Sequence, residues 1–250
     1  MYGRNQYRGG GVPGLTPMVK RIMIACGVVW LAQQFSPGLT DSCAVRNSDF
    51  FEQGYIWQPF TYMWLHDPHS MMHIFFNMFA LWMFGGQLEQ TWGSRKFLRF
   101  YIICGVGAGL VILTWNGLTP GNYAVPTLGA SGAVYGVLLA FSLTWPDRTI
   151  MLLFPPIPMK AIWFIPVMFG LQAAFGGGNI SHAGHLGGVL VAAILMRREL
   201  RAYFGQTLSF SGLRYRWHRY RMRGRLRAVR REDWERRKKL DKDDDRPTYH

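Results

Sequence analysis

Two residue types that can serve as a nucleophile and its base stand in apolar surroundings in this chain. Ser131 lies in Gly129-Ala130-Ser131-Gly132, at the head of an apolar run that ends near Trp145. His185 lies in Ser181-His182-Ala183-Gly184-His185-Leu186-Gly187-Gly188, inside a second apolar run. A serine at a helix start has unpaired backbone N–H groups and the positive helix end beside it, which suit a developing oxyanion. An ionisable side chain in an apolar helix is costly and marks function by default. Taken alone, Ser131 reads sooner as a helix cap within a packing motif.

Small residues give the two side chains a way to meet. Gly132, Gly136 and Ala140 recur every four residues after Ser131, and Gly184, Gly188 and Ala192 do the same around His185. Two such stripes let helix backbones approach closely, the geometry that brings a hydroxyl within reach of an imidazole. No Asp or Glu lies in this segment, so a dyad is expected rather than a triad. Tyr135, one turn after Ser131, either stacks on the imidazole or packs in the core; its spacing leaves both open.

His73 and Asn77, at i and i+4, share one helix face. They suit either an interhelical hydrogen bond or two donors to an oxyanion, and the company of Ser131 and His185 favours the second. His66, His69, His73 and His182 raise the question of zinc. There is no H-E-x-x-H motif and no carboxylate among them except Asp67, so neither a metal nor a cofactor is expected. His66, His69 and His182 are read as polar residues at the aqueous mouth of the site.

The elements that must position these groups read as membrane helices. Of the 250 residues 49% are hydrophobic, and the formal charge of +14 is unevenly spread. Residues 197–250 carry 18 Lys/Arg against 8 Asp/Glu, net +10; residues 1–196 carry 10 against 6, net +4. A nearly uncharged body with a basic tail fits a membrane domain with a cytosolic extension and not a soluble nucleic-acid binder. Residues 1–16 read as a flexible tail, 17–196 as the membrane domain and 197–250 as a basic cytoplasmic tail. Apolar runs at Val19–Phe35, Ser70–Leu88, Phe97–Trp115, Ser131–Trp145, Ala161–Phe175 and Ser181–Met196 predict six helices. Several fall short of the roughly 20 residues that cross ~30 Å of hydrocarbon. The connection 36–70 is acidic and long enough to be structured.

Arg95, Lys96 and Arg99 in one connection, and Arg148 and Lys160 in another, alternate with uncharged or acidic connections. Six spans with both termini cytoplasmic satisfy that pattern. A helix that starts at Ser131, after irregular backbone over 116–130, begins part-way through the bilayer, which requires burial in protein or a wet cavity. Cys26 and Cys104 sit in apolar runs as small buried hydrophobes, and neither they nor Cys43 suggest a disulfide framework. No cleavable signal peptide is read: Asp41 fits poorly before a small-residue cleavage site, and the first apolar run can serve as an uncleaved signal.

From about Trp57 to Met196 the pattern resembles the rhomboid intramembrane serine proteases in their bacterial six-helix form. The resemblance rests, in order, on His73-x-x-x-Asn77, Gly85-Gly86 with Glu89, Gly129-x-Ser131-Gly132 with Tyr135, and Ala183-Gly184-His185-Leu186-Gly187-Gly188. It implies an all-α six-helix bundle, nucleophile Ser131, general base His185, and oxyanion donors from His73, Asn77 and the Ser131 amide. Tyr135 would pack on His185, and Gly188 with Ala192 would hold the last helix on the fourth. Two departures stand out: Trp57-Gln58 replaces a Trp-Arg pair, so an arginine partner for Glu89 is not assumed, and the final small-residue motif ends in Ala192.

The function expected is intramembrane cleavage of single-span membrane proteins. The alternative is a catalytically silent relative that binds client transmembrane helices. A bacterial inner membrane is the expected location. Anionic lipid is the expected partner of the basic, aromatic tail, and no nucleic acid is expected.

Overall fold

The computed structural model describes residues 14–119, 121–151, 156–175, 182–208 and 234. The chain divides into two compact units, Met1–Glu199 and Leu200–His250. Residues 1–13 of the amino-terminal tail, the neutral 176–181 connection and most of the basic tail lie outside the described residues.

Each predicted apolar run is largely helical over its described residues. Helix α1 (Pro17–Phe35) starts with proline in its first turn, where the missing N–H costs nothing. The 36–70 connection is structured: α2 (Pro37–Cys43), α3 (Asn47–Glu52), α4 (Gln58–Thr61) and a 3₁₀ turn at Tyr62–Trp64. Helix α5 (Met71–Ala80) continues through a widened π turn at Leu81–Gly85 into α6 (Gly86–Trp92), and Gly93, at φ +81°, breaks the chain before α7 (Ser94–Leu118). Helix α8 (Ser131–Thr144) follows an irregular segment. A 3₁₀ turn at Ala161–Trp163 leads into α9 (Phe164–Phe175), followed by α10 (His182–Leu195) and α11 (Arg197–Leu208).

One feature departs from the all-α expectation. Thr149–Met151 (β1) pairs antiparallel with Pro158–Lys160 (β2), Ile150 opposite Met159. The connection after α8 satisfies its backbone groups against itself, and Lys160 Nζ meets Asp147 Oδ1 at 2.6 Å.

Helix α8 is the inner helix, buried around most of its circumference and packed chiefly on α10 and α7. Tyr62, Met63, Leu81, Phe97, Tyr101 and Phe141 fill the core. Outer faces are apolar too: Ile24, Val28, Leu31 and Phe35 on α1 and Met71, Met72, Phe75 and Phe76 on α5 are exposed. Among the described residues, Ser94–Leu118 alone is long and apolar enough by itself to cross a membrane. Helices α8 and α10, 14 residues each, rise only about 21 Å.

Candidate active site

Helix α8 begins at Ser131 itself, after Ala130 in a right-handed helical conformation and Gly129 at φ +128°, a backbone setting that favours glycine. The irregular segment before it is held by protein. Thr127 exchanges both backbone hydrogen bonds with Val45, each 2.8 Å, and the Gly129 N–H donates to the Tyr62 carbonyl at 3.0 Å. Tyr62 in turn donates its hydroxyl to the Gly105 carbonyl on α7 at 2.7 Å. The structured 36–70 connection thus fixes where the serine helix starts. Tyr62 escaped the sequence reading, because nothing in its spacing distinguishes an anchor from a core tyrosine.

The glycine stripes meet. A Cβ on Gly188 would overlap the Gly132 carbonyl and lie 3.2 Å from its Cα. A Cβ on Gly132 would lie 3.2 Å from the Gly184 carbonyl, and one on Gly136 3.3 Å from that of Gly188. Ala192 is fully buried further along the same helix. Gly187, on another face of α10, lies against Ala108 and Val111 of α7, a second close approach that the four-residue spacing does not reveal.

The imidazole of His185 is buried and lies parallel to the Tyr135 ring, centroids 4.2 Å apart and planes 11° from parallel. Of the two roles open to Tyr135, the geometry is that of stacking. On α9, the amide Nε2 of Gln172 stands 2.6 Å from His185 Nδ1. Gln172 was not among the expected residues; its sequence neighbourhood is apolar and without motif.

His73 approaches from α5. A Cβ on Gly129 would lie 2.9 Å from His73 Nε2, so the imidazole borders the backbone two residues before Ser131. The Asp67 N–H donates to His73 Nδ1 at 3.1 Å. A neutral His73 therefore carries its proton on Nε2, the atom facing Gly129. Asn77 is buried and spends one Nδ2 proton on the His73 carbonyl, 2.8 Å away on its own helix, leaving a second N–H. That bond is intrahelical, not the interhelical bond considered from spacing.

His66 corrects an expectation. It is fully buried rather than at an aqueous mouth, with its ring 5.3 Å from that of His73. Its backbone N–H donates to Gln33 Oε1 of α1 at 3.0 Å, and Trp30 and Gln34 donate to the Asp67 and Pro68 carbonyls. These contacts draw the 65–68 segment inward. Burial and the neighbouring His73 push His66 down to about 3, so the ring is neutral. His69 and His182 are exposed.

Glu89 binds the start of α1 instead of an arginine. It accepts from the Thr16 hydroxyl, from the Met18 and Val19 N–H groups at 2.8 and 2.9 Å, and from Ser94 Oγ at 2.5 Å. Burial alone would raise its pKa, but the hydrogen bonds from Ser94, Thr16, Val19 and Met18 outweigh it and hold the carboxyl below the ordinary value. At Trp57-Gln58, Gln58 is buried and accepts the Arg46 N–H at 3.1 Å, while the Arg46 side chain pairs with Asp49 at 3.3 Å.

A helical bundle with apolar outer faces and a serine at the head of a short inner helix belongs to a known class of integral membrane proteins. Residues 53–201 match the Rhomboid domain. The chain is a member of the rhomboid family, a helical membrane bundle. It is 34% identical over 125 residues to Rhomboid protein 1, mitochondrial, of Saccharomyces cerevisiae, covering 49% of this chain and 36% of that protein. It is 29% identical over 146 residues to Rhomboid protease GluP of Bacillus subtilis, covering 58% and 26%. It is 25% identical over 183 residues to Rhomboid protease GlpG of Yersinia enterocolitica, covering 72% and 61%. The match therefore spans between about a quarter and three-fifths of these relatives' lengths.

Proposed function

We propose that this protein is an intramembrane serine endopeptidase acting through a Ser131–His185 dyad on single-span membrane proteins. The observation that carries the reading is the glycine-lined contact of α8 with α10, which brings the serine helix against the helix bearing His185 while Tyr135 lies flat on the imidazole. His185 takes the Ser131 proton as the oxygen attacks a peptide carbonyl, then delivers it to the leaving amine. The oxyanion is met by the Ser131 N–H, by His73 Nε2–H and by the remaining Asn77 N–H. Water from the non-cytoplasmic side then resolves the acyl-enzyme. The related proteins named as proteases support the same reaction class.

In this reading the six apolar helices all cross or enter the bilayer of a bacterial inner membrane, with both termini cytoplasmic. Helix α8 does so among the other helices, and α10 packs on it while turning Leu186, Leu190 and Ile194 outward. Residues 17–196 form the membrane domain, residues 1–16 a tail, and the basic stretch from 197 on an anchor to anionic headgroups. A substrate helix must unwind locally, since a helical backbone hides its carbonyls, so helix-breaking small residues favour cleavage. Purified protein in bicelles should cleave a model transmembrane substrate and lose that activity with Ser131→Ala or His185→Ala. Full activity in either variant overturns the assignment. Catalytic silence of the parent chain favours a client-binding relative instead.

A further inference from the structure

Gln172 is a polar side chain on an apolar helix, and the catalytic scheme above leaves it without a task. Its amide stands 2.6 Å from His185 Nδ1, while its Oε1 is buried with no hydrogen-bond partner among the described residues. A base in this position works only in one tautomer: Nδ1 must carry the proton so that the Nε2 lone pair is free for the serine. A glutamine can serve that tautomer, since a half-turn of its amide presents Oε1, the atom now lacking a partner, to Nδ1–H.

We propose that Gln172 is the positioning residue of the site, accepting the Nδ1–H of His185 through Oε1 and so making a neutral third member of a Ser131–His185–Gln172 chain. The proposal rests on the Ser131–His185 reading. When Ser131 gives its proton to Nε2 and its oxygen bonds to the substrate carbonyl carbon, the imidazolium holds both N–H groups, and Gln172 Oε1 accepts the second throughout. The proton on Nε2 then leaves with the amine, and the Nδ1 proton never moves. Tyr135 holds the plane of the ring, and Gln172 holds its rotation within that plane. Because Gln172 stands on α9, which packs on α8, the base is oriented only while α9 keeps that place.

The test reads the imidazole directly. In the full chain labelled with ¹⁵N-histidine in micelles, the His185 signals are expected to report the Nδ1–H tautomer, and this preference should be lost in Gln172→Leu. An Nε2–H tautomer in the parent, or an unchanged Nδ1–H tautomer in Gln172→Leu, overturns the proposal. Kinetically, Gln172→Leu should lower kcat about 10- to 100-fold at unchanged KM, the worth of a hydrogen bond to a charged group. Gln172→Glu should restore most of the kcat lost in Gln172→Leu and move the acid limb of kcat/KM up by about 1–3 pH units, because a carboxylate beside an imidazolium favours the charged ring. The other titratable groups around His185, namely His182, His73 and Tyr135, are common to parent and variant and drop out of the comparison. Parent-like kcat in Gln172→Leu with an unmoved acid limb in Gln172→Glu is the contrary result. Cleavage that survives Ser131→Ala in the same assay instead removes the underlying dyad, so the two failures are distinguishable.

Discussion

The ring of Tyr135 lies 4.2 Å from that of His185 and within 11° of parallel, so the one aromatic residue a turn after Ser131 forms a floor for the imidazole. A stacked aromatic pair contributes about 0.5–1.5 kcal/mol beyond the area it buries. Tyr135→Phe keeps the floor and should keep activity. Tyr135→Leu should lower kcat/KM roughly 2- to 12-fold. Steady-state cleavage by the two variants checks this, and equal losses in both would point to the hydroxyl rather than the stacking.

Close approach of α8 and α10 should be the least tolerant packing among the described residues. Gly188→Ala forces a methyl group into the Gly132 carbonyl, and overpacking of this kind costs about 1–3 kcal/mol. Gly27→Ala on α1, where nothing lies within 4 Å, should change stability by no more than about 1 kcal/mol, and toward greater stability through helix propensity. Thermal unfolding in detergent compares the two.

This contact was legible in the sequence, and the reason is periodicity: Gly132 and Gly136 against Gly184 and Gly188 repeat at helical spacing, and His73 with Asn77 share a face for the same cause. Gln172 was not legible. Helix α9 is apolar on all sides, so its sequence carries no sign of which face meets α10, and a glutamine there shows its role only once the helix rotation is known. Tyr62 and Thr16 were hidden likewise, since their partners, the Gly105 carbonyl and Glu89, lie 43 and 73 residues away. The burial of His66 depends on Gln33 of α1, a contact that local pattern does not encode. The β1–β2 pair was too short to leave a pattern.

Glu89 gives a pH dependence with a definite sign. Its folded-state pKa lies below the ordinary glutamate value of 4.5 because the carboxylate accepts hydrogen bonds that the acid form loses, and these outweigh the cost of burial. The stabilisation is complete above about pH 4.5 and fades as pH falls through the lower folded value. Glu89→Gln should therefore cost about 1.5–3 kcal/mol near neutrality and progressively less in acid. Unfolding midpoints of parent and variant measured against pH should converge at the low end.

Gly129 should be irreplaceable for activity. Its φ is +128°, and a Cβ added there would stand 2.9 Å from His73 Nε2. Gly129→Ala therefore both strains the backbone before Ser131 and pushes the imidazole away. Loss of one oxyanion donor lowers rates about 100- to 1000-fold. A kcat reduced on that scale with little change in KM is the expected outcome.

The central claim is that Ser131 is a nucleophile activated by His185. Its most direct measurement is mass spectrometry of the purified protein after reaction with a fluorophosphonate. One adduct is expected, on Ser131, absent in Ser131→Ala and strongly slowed in His185→Ala. No adduct on the folded parent chain, or an adduct that persists in Ser131→Ala, would contradict it.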